Sequence, residues 1–134
     1  MIENAEIRTE RSDSWKRKAT LMIVDDEHLI RRICKAYLEA KGFEVHAASS
    51  AGEGLEILNR VGVDLVITNI RMPGMDGIAL TRLIKDRYDS NVIIMTGYHS
   101  YTFEDAVRIG ADGLLHKPAT LEELLGSINS ILIK

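Results

Sequence analysis

Two adjacent carboxylates, Asp25 and Asp26, follow the apolar run Leu21-Met22-Ile23-Val24. Three other groups stand at similar boundaries. The carboxamide of Asn69 follows Val63–Thr68, the hydroxyl of Thr96 follows Val92–Met95, and the ammonium of Lys117, just before Pro118, follows Asp112–Leu115. Side-by-side carboxylates repel unless a cation lies between them. A hard, oxygen-seeking divalent ion such as Mg2+, keeping several of its waters, suits such a pair. A hydroxyl and a lysine across from it suit the equatorial oxygens of a phosphoryl group. Each group alone has an ordinary use: Asp caps helices, Thr bonds locally, and Lys-Pro makes surface turns. Their recurrence at successive boundaries is what points to a single site.

The elements that must position them alternate along the chain. Leu21–Val24 predicts a strand buried on both faces. Ile30, Ile33, Cys34, Tyr37 and Leu38 then form one helical face, closed by Gly42, and place Cys34 in the core. Phe43–Ala48 predicts a second strand, with Ser49 and Ser50 as caps for a helix carrying Leu55, Ile57 and Leu58. Val63–Thr68 is the third strand and ends in a loop through Gly77, where Gly74 and Gly77 serve turn geometry. A helix with Ile78, Leu80, Leu83 and Ile84 follows, then strand Val92–Met95. A weaker helix over Tyr101–Ile109 is stopped by Gly110. Strand Asp112–Leu115 and the amphipathic helix Leu121–Ile133 end the chain. Short connections between alternating strands and helices specify an α/β doubly wound sheet of five parallel strands, order 2-1-3-4-5. Ligands of such sheets bind at the carboxyl ends of the strands, near the switch between strands 1 and 3. The residues named above stand at those ends.

Composition narrows the function classes. A chain of 134 residues holds one domain over 19–134, preceded by a charged leader over 1–18. Nine of the leader's eighteen residues are charged, which predicts a flexible segment or a short helix docking through Ile7 and Trp15. The net charge of -3 and 5% aromatic content argue against direct nucleic-acid binding. No apolar run reaches the roughly 20 residues of a membrane span. The lone Cys34 excludes an internal disulfide, in keeping with a cytoplasmic protein. His28, His46, His99 and His116 are scattered and lack metal-ligand spacing, so surface or loop roles are expected. Leu29, beside the acidic pair, is either a partner contact or an isolated surface leucine. An enzyme is disfavoured at the first loop: Asp25-Asp26-Glu27 lacks the Asp-x-Asp pattern of phosphohydrolases of similar fold. That acidic loop would also repel the phosphate of a flavin carrier.

Several segments together closely resemble receiver domains of bacterial two-component response regulators. They are Ile23-Val24-Asp25-Asp26-Glu27, the stretch from Asp64 to Gly77 with Asn69-Ile70-Arg71-Met72-Pro73-Gly74, Met95-Thr96-Gly97, and Lys117-Pro118. The resemblance spans about Thr20 to Lys134 and implies a flavodoxin-like fold. It implies that a sensor histidine kinase or phosphotransfer protein acts upstream and a protein target downstream, with the domain a monomer or weak dimer. It also implies Mg2+ held by Asp26 directly, by Asp25 through water, by residue 69 and by the backbone carbonyl of Arg71. Thr96 and Lys117 would bind the phosphoryl oxygens.

The departures from that pattern carry equal weight. Residue 69 is Asn where the family has the phosphoacceptor Asp, so this form is expected not to be phosphorylated, not to act as an enzyme, and to hold Mg2+ weakly. The intact neighbours favour a recent or engineered Asp-to-Asn change. The alternative is a natural pseudo-receiver that binds partners without phosphorylation. Leu114 stands where the family's switch aromatic is usual, and Ala119 where Phe is frequent. The Thr96–Lys117 segment is one residue shorter than usual.

Overall fold

The structure, a computed structural model, describes residues 18–133. The expected leader, with Ile7 and Trp15, lies outside the described residues apart from Lys18. Strands β1 (Thr20–Val24), β2 (Glu44–Ala48), β3 (Leu65–Thr68), β4 (Asn91–Thr96) and β5 (Gly113–His116) alternate with helices α1 (His28–Ala40), α2 (Ala51–Arg60), α3 (Gly77–Arg87), α4 (Phe103–Arg108) and α5 (Leu121–Leu132). All strand pairs are parallel, in the order β2-β1-β3-β4-β5, as the alternation predicts.

Side chains of a strand alternate between faces, and the core divides accordingly. Leu21, Ile23, Leu65, Ile67, Ile93 and Met95 pack with Cys34 and Leu38 of α1 and Leu124 and Ile128 of α5. Met22, Val24, Val66, Val92 and Ile94 pack with Ile57 and Leu58 of α2, Leu80 and Ile84 of α3, and Ala106 of α4. Strands β1 and β3 are buried at every position because both faces of the sheet are covered. Cys34 is buried as expected, and burial raises its thiol pKa.

Element ends differ from the sequence expectations where polar groups intervene. Strand β3 begins at Leu65 rather than Val63, because Asp64 accepts from the Thr20 amide with its carboxylate and donates its own N–H to the Thr20 carbonyl. Helix α4 covers only Phe103–Arg108. Thr102 and Asp105 cap each other's backbone reciprocally at its start, which excludes Tyr101. Of the two serines before α2, Ser50 caps Glu53, while Ser49 donates to the Glu53 carboxylate instead. Gly77 is required by proximity rather than by turn conformation: a Cβ there would lie 1.9 Å from the Asn69 carbonyl oxygen. Gly74, at φ +79°, does use the left-handed region.

Candidate functional site

The strand ends deliver the expected residues to one rim of the sheet. The Asp25 amide bonds the Ala48 carbonyl at the end of β2, and the Asn69 amide bonds the Val24 carbonyl at the end of β1. The Lys117 amide bonds the Thr96 carbonyl at the end of β4. These main-chain bonds continue the sheet one residue past its strands and fix where each side chain starts. Asn69, Arg71, Thr96, Gly97, Tyr98 and Lys117 line an open pocket of about 260 Å³.

Asp25 is the most buried of the charged groups, with its side chain 2% exposed. A carboxylate taken out of water must be partnered, and here both oxygens are. Oδ1 accepts from the Glu27 amide at 2.9 Å, and Oδ2 accepts from Lys117 Nζ at 3.2 Å. Lys117 also approaches Glu27 Oε1 at 3.8 Å. The Asp25 carbonyl accepts from Arg31 Nη1, which ties the start of α1 to the strand end. Asp26 is exposed and makes no side-chain hydrogen bond or ion pair among the described residues. Neither aspartate caps α1, whose N-cap position is Glu27.

Residue 69 uses its amide hydrogen. Asn69 Nδ2 donates to the Arg71 carbonyl at 2.8 Å, an orientation fixed by chemistry, since Oδ1 would set acceptor against acceptor. Thr96 is 1% exposed, and its Oγ1 accepts from the Tyr98 amide at 3.0 Å. A divalent ion would draw on Asp25, Asp26, residue 69 and the Arg71 carbonyl. As arranged, the set is a poor fit for one: both Asp25 oxygens and the Arg71 carbonyl are engaged by protein donors, and the carboxamide gives its N–H to that carbonyl.

Three features escaped the sequence. Glu27 as a second partner of Lys117 is one, and the Asn69–Arg71 bond is another. The third is a contact between two of the scattered histidines: His99 and His116 stack with ring centroids 5.4 Å apart and planes 15° from parallel, while His116 Nε2 bonds the Tyr101 carbonyl. They are 17 positions apart in sequence (116 minus 99), so no local spacing could have found them. Leu29 is exposed beside the acidic pair. Leu114 is half-buried against the α2–α3–α4 core cluster.

Comparison with known proteins accords with this fold. The family model described as "Response regulator receiver domain" matches residues 21–129. The sensor kinase CckA of Brucella abortus is 35% identical over 96% of this chain, which covers 14% of that protein. Curated relatives are longer throughout: the chain spans between 14% and 49% of their lengths. Among solved structures, a response regulator receiver domain protein from Methanospirillum hungatei is 33% identical, with a TM-score of 0.78 over 85% of this chain and 93% of that one. Response regulator protein TrrA from Thermotoga maritima, solved in complex with Mg2+-BeF, is 31% identical, with a TM-score of 0.76 over 85% of this chain and 99% of that one.

Proposed function

We propose, on the premise that the chain belongs to the response regulator receiver domain family, that it serves two-component signalling in a form whose residue 69 takes no phosphoryl group. The observation that carries this is the identity and engagement of Asn69 beside an otherwise complete set of Asp25, Asp26, Thr96 and Lys117. Phosphoryl transfer to a receiver needs a carboxylate oxygen to attack phosphorus while the bond to the donor breaks. The lone pair of a carboxamide nitrogen is delocalised into its carbonyl, and Asn69 further commits an N–H to Arg71. No acyl phosphate forms there, so this form is no enzyme even toward itself.

The surrounding residues keep the chemistry of phosphoryl binding. Lys117 supplies a cation on the pocket wall, and the Thr96 hydroxyl, which accepts from Tyr98, retains its own hydrogen to donate. A bound Mg2+ would neutralise charge on the transferring oxygens, and with a carboxamide at position 69 it binds weakly. A sensor histidine kinase or phosphotransfer protein would meet this rim from outside, next to exposed Leu29. A cytoplasmic setting follows from such partners. Among the described residues no helix is long and apolar enough to cross a membrane.

Leu114 favours a second reading, a pseudo-receiver whose partner binds without phosphorylation, because no aromatic ring at that position reports on Thr96. Acetyl phosphate separates the two. The chain as it stands should remain unlabelled, while Asn69→Asp should gain a hydroxylamine-sensitive phosphoryl group. If Asn69→Asp stays unlabelled with several donors, the pseudo-receiver reading replaces the first.

A further inference from the structure

Residue 69 lines the pocket and commits its side-chain amide to the main chain of the same loop. We infer that Asn69 is a latch: its Nδ2–H holds the Arg71 carbonyl, closing the start of the β3–α3 loop and withholding that oxygen from a divalent cation. The inference deepens the proposed function, since it rests on Asp25, Asp26, residue 69 and the Arg71 carbonyl forming the cation site.

The bond is 2.8 Å long and spans two residues. The loop beside it is already tightly drawn, with the Gly77 amide on the Ile70 carbonyl at 2.7 Å and the Thr68 hydroxyl on the Asn69 carbonyl at 2.9 Å. A carboxylate at position 69 has no hydrogen to give. In the same place it would set oxygen against oxygen, and the loop would close this way only with a cation between them. On the other wall, Lys117 fills the corresponding need of Asp25, at 3.2 Å. The protein thus supplies a cation to its buried carboxylate and an N–H to the carbonyl, leaving exposed Asp26 as the one carboxylate of the set without a partner.

Two causes of weak Mg2+ binding are therefore distinct: a missing negative charge, and a carbonyl already occupied. They part at Asn69→Ala. That change restores no charge and removes a possible neutral ligand oxygen, so the first cause predicts affinity equal to or below that of the unaltered chain. Freeing the carbonyl from one amide hydrogen bond predicts affinity about 2- to 12-fold higher. Asn69→Asp should bind more tightly still.

The measurement is a Mg2+ titration of the 134-residue chain and both variants by NMR. It follows the backbone amides of Asp26 and of Met72, whose nitrogen is bonded to the Arg71 carbonyl carbon. A dispersed spectrum establishes that each variant is folded. A second observable needs no variant: in the unaltered chain one hydrogen of the Asn69 side-chain amide should exchange with solvent more slowly than those of exposed Asn59. Asn69→Ala binding no more tightly than the unaltered chain, or showing no saturable shift, overturns the latch. So does free exchange of the Asn69 amide. Failure of Asn69→Asp to take a phosphoryl group would count against the receiver chemistry and leave both latch measurements standing.

Discussion

Replacing Lys117 with Met removes the cation from Asp25 while keeping most of the aliphatic stem. At 3.2 Å and an effective dielectric constant of about 20, the gross attraction is about 5 kcal/mol, much of it offset by desolvation of both groups. Truncating one partner of a fully buried pair costs about 3–5 kcal/mol, because the other charge stays behind unpaired. Two features reduce that here. The Lys117 side chain is 22% exposed, and the Glu27 amide still serves Asp25 Oδ1. We expect a loss of about 2–3 kcal/mol by urea denaturation, and a Tm lower by about 6–18 °C for a domain of this size. Asp25→Asn combined with Lys117→Met should be less harmful than the two single losses added, with a coupling of about 1–2 kcal/mol. Most of the loss should persist in concentrated salt, since ions screen a buried pair poorly. A loss below about 0.5 kcal/mol, or a coupling near zero, would refute the idea that Lys117 is the counter-ion of Asp25.

Two other perturbations test how the site is supported. Gly77→Ala places a Cβ within 1.9 Å of a backbone oxygen, so the β3–α3 loop must shift; a loss of about 3 kcal/mol or more is expected, with Asn69 and Arg71 resonances displaced, and unchanged spectra would contradict the packing. The Asp105 carboxyl is held below the usual range, first by the Thr102 amide, which donates to it, and then by the Thr102 side chain beside it. Its contribution to α4 is therefore present above the ordinary carboxylate pKa and lost as pH falls through the depressed folded value. Thr102→Ala removes the hydroxyl partner, so Asp105 should titrate nearer the ordinary range and the start of α4 should fray at neutral pH, both visible by NMR; an unmoved titration would show that the backbone bond alone sets it.

The sequence by itself determined the sheet. The continuous apolar run Leu21–Val24 calls for burial between two helical layers, and strands such as this one and that expected over Val63–Thr68, joined by helices, run parallel. It also put Asp25, Asn69, Thr96 and Lys117 at one rim, because every parallel strand ends on the same side. Only the tertiary structure decided what these groups do to one another. Whether Lys117 meets Asp25 or residue 69, and which hydrogen Asn69 gives and to which carbonyl, turns on side-chain torsions and on distances near 3 Å set by strand stagger and loop path. The stacking of His99 on His116 is of the same kind, created by β4 and β5 lying side by side. Residue type and spacing therefore specified which residues gather at the rim. Their partners became legible only after the packing of β1, β3, β4 and β5 had fixed the separations over which hydrogen bonds form or fail.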